Sequence, residues 1–343
     1  MNKRTFFTNV CRRQLHTSLR YSSPTLLHVG AASPSSHGHP DVQAFQQKAL
    51  KPQKPYFFPS DAGSPTSHLP AFVKWFTRPS TSHGSQQTHH PFAPALVQKF
   101  QEWPFPYELI KSPGKQDAVS DFQNTLMTSS EMTDQIMAGI LQSAVTEGTD
   151  QTFFQLYAPL KLLIKALEFN ASRDPTTTHP LHVYIAQSAL PDLPQPMQDD
   201  LPVPEVVKRA GKGDIYSSSI WLGTEPTYTP LHRDPNPNLF CQLHSQKVVR
   251  LLPPKLGDRL FFEVQVQIRQ QGNSRIRTTD MMQGEERKAL HDAVWENESP
   301  PDEMHEVELD AGDALFIPDG WWHSVKSVES DGGLNASVNW WFR

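Results

Sequence analysis

The sequence predicts a mainly β C-terminal half, a barrel or sandwich of short strands, with a mixed helical region in front of it. Three observations carry this. Eight segments of strand character begin at Leu181, separated by Pro, Gly, Asn and Asp turns. Thirty-one prolines in 343 residues favour loops and short strands over a helical bundle. The clearest helical spacings lie before residue 181.

Bulk properties narrow the function classes. Hydrophobic residues make up 37% of the chain and charged residues 20%, the proportions of a folded chain that buries a core without covalent staples. A net charge of −5 gives no basic field, so binding to nucleic acid or anionic membrane would need a local patch, and none is evident. No apolar run is long enough to span a bilayer, and no membrane association is expected. Two cysteines, Cys11 and Cys241, cannot build a disulfide framework or a thiolate zinc site. Fifteen histidines point instead to imidazole and carboxylate as metal donors.

The elements follow in order. Residues 1–40 contain no Asp or Glu but carry Lys3, Arg4, Arg12, Arg13 and Arg20 among Ser and Thr. This is the composition of a mitochondrial transit peptide, placed at 1–23, and it predicts a matrix location. A basic tail on a cytoplasmic or nuclear chain is the alternative. Residues 24–44, rich in Ser, Pro, Gly and His, read as a linker, and 45–180 as the helical and mixed region. Within it, Lys54–Pro59 (KPYFFP) reads as an edge strand, 69–77 as a short amphipathic helix and 78–92 as a loop. Helices are expected from about Ser130 to Glu147 and after Pro159, whose missing N–H is harmless in a first helical turn. The barrel is expected over 181–343, with strands at 181–187, 215–222, 239–252, 261–268, 305–309, 314–317, 323–328 and 334–342. A charged stretch, 269–304, reads as an insertion with a helix at 285–297.

The chemistry concentrates in His232-Arg233-Asp234. In extended backbone, residues i and i+2 point the same way, so imidazole and carboxylate converge. Such pairs arise by chance; His39-Pro40-Asp41, in the linker, is another and is given no function. His323 opens a later strand in GDALFIPDGWWHSV. Two histidines and one carboxylate on neighbouring strands make a facial triad, which leaves positions open on an iron(II) ion. The competing reading is a pair of ordinary strand histidines. Lys247 bears on the choice. In the strand expected at 239–252, alternation puts Lys247 with Leu239, Cys241 and Leu243 on the inward apolar face, which no acid shares. A ligand carboxylate would match that ammonium; an acid from another strand, or a lysine reaching the barrel rim, would also serve.

WLGTEPTYTPLHRDPNPNLFCQLHSQKVVRLLPP, with GDALFIPDGWWHSVKS and NASVNWWF, resembles the JmjC-domain oxygenases of the cupin superfamily. The resemblance is nearest to the small hydroxylase branch that includes the asparaginyl hydroxylase of hypoxia-inducible factor. It covers roughly Ile215–Pro254 and Gly312–Phe342. It implies a double-stranded β-helix (jelly-roll) core and an oxygenase that uses Fe(II), 2-oxoglutarate as co-substrate and O2, releasing succinate and CO2. His232, Asp234 and His323 would be the iron ligands. Lys247, Thr229 and Tyr184 would hold the distal carboxylate of 2-oxoglutarate, with Asn238 and Asn339 beside the iron pocket. Trp321, Trp322 and Trp341 would shelter it or serve as plain core. The aspartate ligand, where many JmjC demethylases have glutamate, and the scarcity of cysteine for a reader module favour hydroxylation of a protein side chain. A JmjC-type lysine demethylase and a non-catalytic cupin binding protein are the alternatives. The substrate is left open among a protein, a tRNA and a small molecule, as is oligomeric state.

Overall fold

The computed structural model describes residues 27–32, 38–77, 90–111, 118–146, 152–174, 178–270 and 284–343. The transit-peptide reading of 1–23 and most of the loop read at 78–92 lie outside them. The strands, in chain order, are β1 (Leu27–His28), β2 (Gly30–Ala31), β3 (Tyr56–Phe58), β4 (Pro104–Ile110), β5 (Phe153–Pro159), β6 (His182–Ala189) and β7 (Ile215–Thr224). They continue with β8 (Tyr228–Arg233), β9 (Asn238–His244), β10 (Lys247–Leu252), β11 (His305–Leu309), β12 (Ala314–Ile317), β13 (Trp322–Ser327) and β14 (Leu334–Phe342).

Two sheets face each other. The smaller has the order β1-β11-β10-β13-β8, and the larger β2-β3-β12-β9-β14-β7-β6-β4-β5. The eight strands from β7 onward place four in each sheet, paired antiparallel throughout. That is the double-stranded β-helix, and the fold expectation holds. The linker stretch contributes β1 and β2, which pair with β11 and β3. The His39-Pro40-Asp41 motif is structural: Asp41 accepts from the Ala44 N–H at a helix start, and His39 stacks on His68.

Three apolar clusters show which way each strand faces. Val249, Leu251, Val307, Leu309, Leu315 and Ile317, with Phe240 and Val325, fill the space between the sheets. On its other face the large sheet packs Leu239, Cys241, Ala314, Phe316, Val338 and Trp340 against the N-terminal helical layer. That layer includes the expected helices, Met132–Thr146 and Leu160–Ala171. The outer face of the small sheet packs Leu231, Leu252 and Trp322 against helices Pro254–Ile268 and Gly284–Trp295. Gly257 makes that approach possible, because a Cβ there would lie 2.2 Å from the Trp322 ring.

Three expectations are corrected. Residues 261–268 are not a strand but the end of the Pro254–Ile268 helix. Their alternation is real, yet Leu256, Leu260, Phe261 and Val264 bury one helical face while Phe262 and Val266 stay exposed. Residues 239–252 are not one strand: the chain turns at Ser245 (φ 59°), and β9 and β10 lie in different sheets. The face shared by Leu239, Cys241 and Leu243 is therefore the helix side, not the barrel interior. Trp322 also faces away from the interior, packing on Phe261 with its indole N–H donated to Asp258.

Candidate metal centre

β8 and β13 lie side by side with His232 opposite His323. Asp234 follows β8 directly. His232 Nε2 is 3.8 Å from Asp234 Oδ1, and His323 Nε2 is 3.5 Å from Asp234 Oδ2. One donor atom from each residue lies within 4.8 Å of the others, and among the described residues this is the group so arranged.

Hydrogen bonds prepare these donors. His232 Nδ1 is 2.8 Å from the Pro230 carbonyl, and His323 Nδ1 is 3.4 Å from that of Trp321. A carbonyl only accepts, so each Nδ1 carries the proton and each Nε2 lone pair faces its neighbours. Asn238 donates to Asp234 Oδ2 at 2.8 Å, and Asn339 donates to Asn238 Oδ1 at 2.8 Å. This amide relay leaves Asp234 Oδ1 turned towards His232. Two imidazoles and one carboxylate, with no thiolate, fit a divalent iron with open positions better than a closed structural zinc.

The interior beyond the triad is polar by design of β14. Val338, Trp340 and Phe342 face the helices, so the alternate residues Ser337, Asn339 and Trp341 face inward. Asn339 Oδ1 and Trp341 Nε1 are buried there without a hydrogen-bond partner. Orphaned polar atoms in such a place are costly unless an occupant meets them.

Lys247 opens β10 and is only 3% exposed. Its Nζ donates to Ser337 Oγ at 3.1 Å and to the Tyr184 hydroxyl at 3.4 Å, and lies 5.4 Å from the centre of the Phe240 ring. The inward placement expected of Lys247 is therefore observed, although by a different strand. β10 alternates by itself, with Lys247, Val249 and Leu251 buried between the sheets.

Thr229 shows how register makes the site. Three residues from His232, it would face the opposite side of a regular strand. The β8–β13 ladder has a bulge there: His232 pairs with His323, while Thr229 pairs with Val325. Two residues of β8 span one of β13, so Thr229 joins the interior face of Val325 and His323. Tyr184 depends on a glycine. It pairs with Gly223 of β7, where a Cβ would stand 2.1 Å from the Tyr184 ring. Sequence reasoning missed both Gly223 and Ser337. Ser337 had a signal, since it sits two residues before Asn339 on the same face.

Comparison with known proteins agrees with this geometry. Residues 85–343 match the cupin-like domain family. The chain belongs to that family. Lysine-specific demethylase JMJ30 of Arabidopsis thaliana is 30% identical over 159 residues, covering 46% of this chain and 33% of that protein. JmjC domain-containing protein D of Dictyostelium discoideum is 30% identical over 156 residues, covering 42% and 32%. Lysine-specific demethylase 8 of Danio rerio is 28% identical over 161 residues, covering 46% and 36%. The matches span about a third of these relatives' lengths. They place the chain among the JmjC cupins, and do not single out the asparaginyl-hydroxylase branch.

Proposed function

We propose that this chain is an Fe(II)- and 2-oxoglutarate-dependent oxygenase of the JmjC type. The observation that carries the reading is one barrel interior that holds the three donors at one end and the buried ammonium of Lys247 farther in. His232, Asp234 and His323 would hold the iron. Lys247, with the hydroxyls of Tyr184, Thr229 and Ser337, would hold the distal carboxylate of 2-oxoglutarate through charge-assisted hydrogen bonds, which fixes its orientation. Asn238 keeps Asp234 in place, and Asn339 steadies Asn238. With O2, iron and the keto acid supply oxidative decarboxylation to succinate and CO2, coupled to hydroxylation of a substrate C–H.

The names of the relatives favour an N-methyl carbon as the position attacked, so that hydroxylation ends in loss of formaldehyde and the reaction is a demethylation. Hydroxylation of a protein side chain, the reading that the asparaginyl-hydroxylase resemblance favours, shares every residue of the site. A succinate assay with O2, iron and candidate methylated and unmethylated peptides, with formaldehyde measured in parallel, separates them. Succinate with formaldehyde supports demethylation; succinate with a product heavier by one oxygen supports stable hydroxylation. Succinate formation that persists in Asp234→Ala would count against the whole assignment.

Mitochondrial import rests on the acid-free, Arg- and hydroxyl-rich composition of the first 40 residues. The family match begins at residue 85, and neither structure nor relatives support import; a cytoplasmic or nuclear location is the other reading. Mass spectrometry of the mature N-terminus distinguishes them, since import with cleavage removes Met1–Arg20.

A further inference from the structure

The larger sheet ends at β5. The ladder between β5 and β4 runs without a bulge and pairs Phe154 with Leu109, Leu156 with Tyr107 and Ala158 with Phe105. At its two ends, in the same register, Lys111 N–H donates to the Thr152 carbonyl at 2.8 Å and Leu160 N–H to the Trp103 carbonyl at 2.9 Å. Hydrogen-bonded pairs alternate along an antiparallel ladder, so Phe154, Leu156 and Ala158 direct their backbone groups to β4. Gln155 and Tyr157 turn theirs outward, and among the described residues no strand pairs with β5 on that side.

Edges that must stay unpaired are blunted by shortness, charge or proline. The other sheet edges have these devices: β1 and β2 are two residues each, and β8 contains Pro230 and ends on Arg233. β5 has seven residues, FFQLYAP, with no charge and no proline before its last position. Its Tyr157 is 72% exposed. The Met132–Thr146 helix packs against the same strand and turns Met132, Ile136, Gly139 and Ser143 outward along one face. Asp134 is the one charged residue of that helix, and it is buried. Each copy of the chain carries a net charge of −5, so two copies repel where acids gather and not at this uncharged border.

We propose that β5 pairs antiparallel with β5 of a second copy of this chain, across a two-fold axis at Leu156. The outward groups of Gln155 and Tyr157 lie symmetrically about Leu156, so the edge is complementary to itself. In this register Gln155 stands opposite the partner's Tyr157, each N–H donates to the other's carbonyl, and the axis repeats the exchange. The Gln155 side chain lies beside the partner's Tyr157 on one face of the joined sheet. Leu156 meets the partner's Leu156 on the other, the face that packs on the helical layer. Pro159, which has no N–H, ends the ladder. An axis normal to the sheet puts both helical layers on one side, where the two Met132–Thr146 helices flank the paired strands. The histidines of the metal centre stand on β8 and β13 of the other sheet, so the inference goes beyond the oxygenase reading and does not rest on it.

Sedimentation velocity of the full chain across about 1–100 μM, where a modest interface dissociates, tests it. The wild type should shift from monomer to dimer. Gln155→Pro removes an outward N–H without touching the β4 ladder, and Tyr157→Lys puts a charge on the edge. Each should weaken the dimer about tenfold or more. Phe262→Lys, at an exposed apolar residue on the Pro254–Ile268 helix, should leave the dimer at wild-type strength. Thermal melts confirm folding, and Tyr157→Lys serves if Gln155→Pro does not fold. The register has its own readout: Gln155→Cys mixed with Tyr157→Cys should form a disulfide-linked dimer under mild oxidation, beyond what the wild type or either variant alone gives. A wild type that stays monomeric throughout overturns the proposal and leaves the edge to a strand of another protein. A dimer that a folded edge variant keeps at full strength, or that Phe262→Lys abolishes, also overturns it.

Discussion

Gly223→Ala places one methyl group against Tyr184. The new Cβ would lie 2.1 Å from Tyr184 Cδ2 and 2.9 Å from the Val183 carbonyl oxygen, where ordinary contacts begin near 3.4 Å. The ring must therefore retreat by 1.3 Å (3.4 − 2.1) or more, because the Val183 backbone is held in the sheet. The phenol already sits at 3.4 Å from Lys247 Nζ, the outer limit of a hydrogen bond, so such a retreat breaks it. A hydrogen bond to a charged group contributes about 1.5–3 kcal/mol, so affinity for 2-oxoglutarate should fall roughly 10- to 150-fold. Overpacking should also lower stability by about 1–3 kcal/mol. The assay is anaerobic titration of 2-oxoglutarate into the Mn(II)-loaded protein, with Tyr184→Phe as a control that removes the hydroxyl and leaves the ring. Both variants should bind weakly, and only Gly223→Ala should melt early. Wild-type affinity in Gly223→Ala, with or without a stability change, would refute the reasoning.

Other consequences follow from particular side chains. Asn238→Ala removes the donor to Asp234 Oδ2 and should weaken Mn(II) or Fe(II) binding by about 10- to 100-fold, measured by calorimetry, with the far-ultraviolet spectrum unchanged. The Cys241 thiol is pushed up to about 12 by burial, so peptide mass spectrometry should find it unalkylated by iodoacetamide at pH 8 in the native chain and fully alkylated in guanidinium. His182, pushed down to about 4 by burial, stays neutral when folded, while the unfolded chain binds a proton below the usual value of about 6.5. Its contribution to stability is complete above that value and is lost as pH falls towards 4, by up to about 3 kcal/mol. Guanidinium midpoints at pH 7 and pH 5 should differ more in the wild type than in His182→Gln, and equal differences would count against this.

The triad was legible because its chemistry is local: His232 and Asp234 share a strand face by simple alternation, and His323 stands at a strand start announced by Gly312 and Gly320. Lys247 was placed correctly for a reason that fails in detail. The chain reverses at Ser245, and burial between the sheets comes from the alternation of β10 alone. Thr229 could not be placed by counting, since a bulge, visible only in the pairing of two strands, turns it inward. The Pro254–Ile268 helix was hidden by FFEVQVQI, which alternates like a strand, until its partner surface around Trp322 selected the helical face. β4 and β5 were missed because prolines at 104, 106 and 159 suggest loops, although Phe105, Tyr107 and Leu109 bury in strict alternation.

The most direct test is anaerobic titration of Fe(II) into the protein with 2-oxoglutarate present, followed by visible absorbance. A keto acid chelated to Fe(II) gives a charge-transfer band, and the wild-type chain should develop it to saturation at one iron per chain, while His232→Ala and Asp234→Ala should not. A wild-type protein that shows no such band, or variants that show it undiminished, would contradict the assignment of His232, Asp234 and His323 as one metal centre.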